Sequence, residues 1–137
     1  MKVVIIKYNA GNIRSVLFAL ERLGVEAVVT DNPDEIRAAD RVIFPGVGEA
    51  SSAMKYLKEK KLDTLICSLT QPVLGICLGM QLMCSHSEEN DTNCLGIFDQ
   101  KVRLFPNAGL KVPQIGWNNI LELKSKLFEG ITENAYM

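Results

Sequence analysis

The chain has 137 residues, the size of one domain, with 15 Lys+Arg against 16 Asp+Glu, one His and a net charge of -1. That balance gives no electrostatic case for nucleic acid or an anionic membrane as the main partner. A 47% hydrophobic and 23% charged composition argues against disorder. The longest unbroken apolar run, residues 73–80, is eight residues with two glycines, well short of the roughly 18–20 needed to span a membrane. The opening Met1-Lys2-Val3-Val4-Ile5-Ile6-Lys7 is a charge-flanked strand, too short for a signal peptide. The expectation is one soluble, cytoplasmic domain over residues 1–137.

Val3-Val4-Ile5-Ile6 reads as a buried strand, closed by the turn residues Asn9 and Gly11. Asn12 then caps a helix whose Ile13, Val16, Leu17, Leu20 and Leu23 share one face, and Gly24 ends it. Ala27-Val28-Val29-Thr30 is the second strand. Asn32 as cap, Pro33 at the first helical position and Glu35 three residues past the cap start a short helix. Residues 41–44 form the third strand, stopped by Pro45-Gly46. Ser51 or Ser52 is expected to cap the next helix, and Leu62, Leu65, Ile66 and Leu69 make a further helical stripe.

Residues 72–76 are apolar throughout, as in a strand covered on both faces, and a helix is expected from Leu78 to about Ser85. This alternation predicts a doubly wound, mostly parallel, three-layer α/β sheet with right-handed helical crossovers. Beyond it, residues 85–93 read as a polar loop. Strands without intervening helices are expected over 95–98, 101–105 and 115–123, as a small antiparallel extension.

In open parallel sheets, ligands bind beyond the carboxyl ends of the strands. Asn9 to Asn12, Pro45 to Glu49 and Cys77 all fall there. Gly75-Ile76-Cys77-Leu78-Gly79 is a cysteine nucleophile elbow: a strand-to-helix turn holds the thiol in a strained backbone, and glycines on both sides avoid clashes. The thiol sits at a helix N-terminus, whose dipole favours a thiolate, and the Leu78 N–H is free to meet an oxyanion. Gly46 and Gly48, lacking side chains, can bring backbone N–H groups to the same carbonyl.

The other cysteines, 67, 84 and 94, are spaced as in no zinc pattern and read as small apolar residues. Gly46-Val47-Gly48-Glu49-Ala50-Ser51 is only a weak match to a dinucleotide fingerprint, since Ser51 replaces the third glycine. His86 does not suit Cys77 as a base. Nine residues of helix would separate them by roughly 13 Å, where hydrogen-bond reach of about 3 Å is required. It reads as a solvated loop residue.

Together, Tyr8-Asn9-Ala10-Gly11-Asn12, Pro45-Gly46-Val47-Gly48 and Gly75-Ile76-Cys77-Leu78-Gly79-Met80-Gln81 resemble class I glutamine amidotransferases. Lys111-Val112-Pro113-Gln114-Ile115-Gly116-Trp117-Asn118 narrows the likeness to the glutaminase subunits of imidazole glycerol phosphate synthases, although His is usual where Gln114 stands. The resemblance implies that Cys77 attacks the amide of glutamine and that the thioester is hydrolysed to glutamate. Ammonia would pass to a (β/α)₈ synthase subunit, bound as a heterodimer, which makes imidazole glycerol phosphate and aminoimidazole-carboxamide ribotide for histidine biosynthesis. No metal or cofactor is implied.

By the same likeness Gln81 and Glu89 would hold glutamine, and Gly46, Val47, Gly48 and Leu78 would form the oxyanion site. Asn12, Gln114 and Trp117 would lie near the synthase interface. The family continues to a His-Pro-Glu segment that completes its triad. These residues stop short of it, so the 137-residue chain by itself is expected to be C-terminally incomplete and inactive. A non-catalytic binding or regulatory relative, and an unrelated cysteine hydrolase with the same elbow, are the competing readings; the stretch 111–118 speaks against the second.

Overall fold

The computed structural model describes residues 1–9, 11–106, 109, 111–113 and 115–132. They fall into two compact units, Met1–Leu104 and Phe105–Met137.

The first unit is built on four parallel strands: β1 (Val3–Ile6), β2 (Ala27–Thr30), β3 (Arg41–Phe44) and β4 (Val73–Gly75), in the order β2-β1-β3-β4. Val3 pairs with Ala27 on one side and Arg41 on the other, and Phe44 pairs with Gly75. The connecting helices are α1 (Ile13–Arg22), α2 (Pro33–Arg37), α3 (Ala50–Glu59) and α4 (Leu62–Cys67), with α5 (Leu78–Met83) following β4.

β1 is wholly buried because its alternating side chains enter two separate cores. Val4 and Ile6 join Phe44, Leu57, Leu65 and Leu82 on the face covered by α2 to α5. Val3 and Ile5 join Ile43 on the other face, against Ile13, Val16, Leu17 and Leu20 of α1. This is the expected three-layer α/β arrangement.

Two cap assignments need refinement. Asn32 does cap α2, accepting from the Asp34 and Glu35 amides. Its own N–H goes to the Thr30 hydroxyl, which in turn donates to Glu35, so a relay replaces the direct return bond of a capping box. Neither Ser51 nor Ser52 caps α3. Glu49 does, with its carboxylate taking the Ser51 amide at 2.6 Å and the Ser52 amide at 3.0 Å. Both serines lie inside the first turn and turn their hydroxyls back to Glu49.

β4 departs from the expectation of a strand covered on both faces. Val73 packs on the larger core, whereas Leu74 is 43% exposed. The reason is that α1 lies over β1, β2 and β3 and does not extend to β4 among the described residues.

The expected helix to Ser85 ends at Met83, because Cys84 turns extended at φ -68°, ψ 175°. Residues 85–93 are correspondingly not a loop. They hold all but the first residue of β5 (Cys84–Ser87), then a 3₁₀ turn (Glu89–Asp91) and β6 (Thr92–Asn93). β7 (Phe98–Val102) completes a second sheet of order β6-β5-β7. This sheet is mixed, not antiparallel: β5 runs antiparallel to β6 and parallel to β7. The strands expected over 95–98 and 101–105 are thus one strand between them. Gly96 at φ 68° interrupts the first, and the ladder with β5 ends where Ser87 meets Val102.

In the second unit the strand expected over 115–123 is not formed. The described residues there are bends and coil with a single bridge residue at 119, followed by a 3₁₀ turn at Lys126–Phe128. Ile115 and Trp117 are 87% and 80% exposed. Strand preference is largely a preference for packing on neighbours, and these side chains are exposed.

Candidate active site

Cys77 stands between β4 and α5 with φ 53° and ψ -118°. A side chain at positive φ in this region costs about 1–3 kcal/mol and persists only where the surroundings impose it. The two glycines show how it is imposed. A methyl group on Gly75 would lie 2.7 Å from Met80 Cα and 2.8 Å from Met83 Sδ. One on Gly79 would overlap the Phe44 carbonyl. The turn is therefore packed directly onto the end of β3, and the thiol is left exposed.

The Gly79 amide turns back to the Ile76 carbonyl and the Gln81 amide to the Cys77 carbonyl, each at 3.0 Å. The Leu78 N–H thus comes ahead of the helical ladder, while its side chain is buried beneath.

The loop after β3 lies against this elbow. A methyl group on Gly46 would sit 2.6 Å from the Gly79 nitrogen and 2.8 Å from Leu78 Cβ. Gly48 has φ 104° and open space around it, and Val47 is half exposed. Tyr8, just beyond β1, joins the group, with its Oη donating to the Pro45 carbonyl at 2.6 Å. Three strand ends thus meet: an exposed thiol, a glycine loop and a buried phenol.

Comparison with known proteins decides the family. Residues 4–136 match the family model "Glutamine amidotransferase class-I". The chain belongs to that family. It is 60% identical over 139 residues to the "Imidazole glycerol phosphate synthase subunit HisH" of Bacteroides fragilis, covering all of this chain and 71% of the relative. The proteins of the same name from Bacteroides thetaiotaomicron and Haemophilus influenzae are 58% and 44% identical, with 71% and 69% of each covered.

Around the amidotransferase elbow, the other anticipated residues are distributed as follows. Gln81 lies one helical turn from Cys77 on α5, partly buried. Glu89 is in the 3₁₀ turn, and its carboxylate accepts the Ala50 amide at 3.0 Å, two residues beyond Gly48. The N-terminus of α3 therefore holds two carboxylates, Glu49 and Glu89. The Ser51 amide, then the Ser52 amide and the Ser51 hydroxyl, hold the Glu49 carboxyl down at about 2.

His86 is not a solvated loop residue. It lies in β5, paired with Lys101 and Asn93, and its Nε2 is 2.8 Å from Asp91 Oδ1. Asn12 caps α1 by accepting the Ser15 amide at 3.3 Å. Trp117 is exposed in the second unit, and Gln114 lies outside the described residues, as does Ala10.

Two residues of this neighbourhood were missed as participants. Tyr8 was visible only as part of its motif, and a strand-end tyrosine carries no signal of its own. Glu49 carries no cap signal in the sequence, because serine is the commoner cap. Among the described residues, no group of three His, Cys, Asp or Glu could hold a metal ion, and no helix is long and apolar enough to cross a membrane.

Proposed function

We propose that this chain is the glutaminase part of an imidazole glycerol phosphate synthase, working in the cytoplasm with a (β/α)₈ cyclase subunit in histidine biosynthesis. The observation that carries the reading is the forced positive-φ conformation of Cys77, with the Gly46 backbone packed on the two residues that follow it. Its likeness to the subunits of that name supplies the pathway.

In this reading the Cys77 thiolate attacks the side-chain carbonyl carbon of glutamine. The carbonyl oxygen becomes an oxyanion, met by the Leu78 N–H and by N–H groups of Gly46, Val47 and Gly48. The C–N bond then breaks as the nitrogen takes up a proton, ammonia leaves for the cyclase, and water hydrolyses the thioester to glutamate. Gln81 and Glu89 hold the substrate's polar groups. By motif likeness alone, contact with the cyclase is assigned to Asn12, Gln114 and Trp117.

Thiol activation and ammonia release need an acid–base group. His86 is the one histidine of these residues; its Nε2 lies 2.8 Å from Asp91 Oδ1, and the reading does not assign it that role. The test is glutamate release from glutamine by the full-length protein with the cyclase, compared with Cys77→Ala. Turnover that survives the substitution removes Cys77 from the chemistry and the reading with it.

A further inference from the structure

We infer, building on the glutaminase reading, that Tyr8 is a positioning residue: its hydroxyl sets the orientation of the peptide between Pro45 and Gly46 and so aims the glycine loop at Cys77. Tyr8 is 6% exposed. Its ring leans on Phe44, the last residue of β3, with centroids 5.3 Å apart. Its Oη donates to the Pro45 carbonyl at 2.6 Å, and a methyl group on Gly46 would lie 2.5 Å from that same oxygen. Gly46 is therefore packed against Tyr8, Leu78 and Gly79 together, with no room there for a side chain.

The consequence follows from the planarity of the peptide unit. In a trans peptide the C=O and the next N–H point in opposite directions. Holding the Pro45 carbonyl toward Tyr8 directs the Gly46 N–H away from it. The next two residues have no such hold: Val47 is half exposed, and Gly48 has φ 104° with nothing close by. Tyr8 thus marks the fixed end of the loop and Val47–Gly48 the adaptable end. Oxyanion donors work because they are aimed before the charge appears, so loosening the fixed end should cost turnover more than substrate binding.

The hydroxyl remains a donor throughout the working pH range. Burial first, and then the negative charge of a Cys77 thiolate, push its ionisation well above the usual tyrosine value. It is not a base for the thiol.

The experiment compares wild type, Tyr8→Phe and Tyr8→4-aminophenylalanine, which keeps a donor, in the full-length protein assembled with the cyclase. Glutamine turnover is read as kcat and KM, and the alkylation rate of Cys77 by iodoacetamide is read alongside. Tyr8→Phe should lower kcat on the order of tenfold, less than the loss of an oxyanion donor itself. KM should stay within about twofold and iodoacetamide labelling should be unchanged, because an alkylation needs no oxyanion site. The amino variant should recover most of kcat.

An unchanged kcat in Tyr8→Phe overturns the inference. So does a kcat loss accompanied by an equal loss of alkylation, which would mark general damage to the elbow. If Tyr8→Phe does not fold, Tyr8→4-methylphenylalanine, which fills the space without a donor, takes its place in the same comparison. A wild type that alkylates at Cys77 but releases no glutamate defeats the glutaminase reading instead, and the two failures are told apart by the wild type alone.

Discussion

Gly79 faces the carbonyl of Phe44 so closely that no side chain fits between them. The first residues of α5 rest on the backbone at the end of β3, and this contact sets the turn that lifts Cys77 into positive φ. Packing of backbone on backbone cannot be relieved by a change of rotamer.

Gly79→Ala should therefore be among the costliest single-methyl additions in the chain. Overpacking usually costs about 1–3 kcal/mol, and this case should fall at or above the upper end. Gly24→Ala provides the control, since Gly24 has φ 68° but open space around it; it should lose only about 1–2 kcal/mol, the left-handed penalty. Urea unfolding of both variants measures the difference. Equal losses would mean that the Phe44 contact does not constrain the elbow.

Cys77 should be the first of the four thiols to alkylate at neutral pH. Cys67 is exposed as Cys77 is, but Cys77 stands on the strained turn that starts α5, whereas desolvation, aided by Asp63 and Cys84 respectively, pushes the Cys67 and Cys94 thiols up. Cys84 is half-buried, within reach of the Met80 carbonyl. Timed iodoacetamide labelling read by mass spectrometry gives the order directly. Faster labelling of Cys67, Cys84 or Cys94 in folded protein would count against the elbow as the reactive centre.

Glu49 should give stability a specific acid dependence. Its carboxyl is lowered from the ordinary 4.5 to about 2 by the Ser51 and Ser52 amides it caps. A group that holds its proton less tightly when folded contributes stability above its unfolded value and loses it as pH falls toward its folded one. The contribution is thus complete above pH 4.5 and disappears toward pH 2. Melting temperatures of wild type and Glu49→Gln, scanned across that window, should converge at the acid end. Parallel curves would show that the cap carries no ionic component.

His86→Ala should leave glutamine turnover in the full-length protein within about twofold, because a true general base contributes about 10²–10⁴ in rate. Its ring is held by Asp91 beside the β5–β6 turn, so the change should instead be visible as a small loss of stability. A hundredfold drop in kcat would place the histidine in the reaction and reverse its assignment here.

Several local features are legible in the sequence alone. The Asn12 and Asn32 caps, the Pro33 start and the Gly24 stop each depend on one or two residues acting on adjacent backbone. The parallel strands were legible because β-branched runs alternating with amphipathic helices have few alternative packings. The elbow was legible because only glycine tolerates the positions on either side of Cys77.

The region after α5 was not legible in the same way. Cys84-Ser85-His86-Ser87 has neither a helical nor a strand period, and it becomes β5 because β6 and β7 supply hydrogen bonds on both sides. The helix that would have carried His86 away from Cys77 is cut short by that pairing. Likewise 115–123 has strand-forming residues but, among the described residues, makes only a single bridge, at 119. Sequence alone therefore determined the sheet and the turn that carries Cys77, both consequences of local backbone preference and apolar period. Tertiary structure alone decided that Glu49 and Glu89 share the N-terminus of α3, that His86 meets Asp91, and that Tyr8 reaches the Pro45 carbonyl. Those three contacts join residues whose relation depends on which strand ends come together in space, and no local preference encodes that.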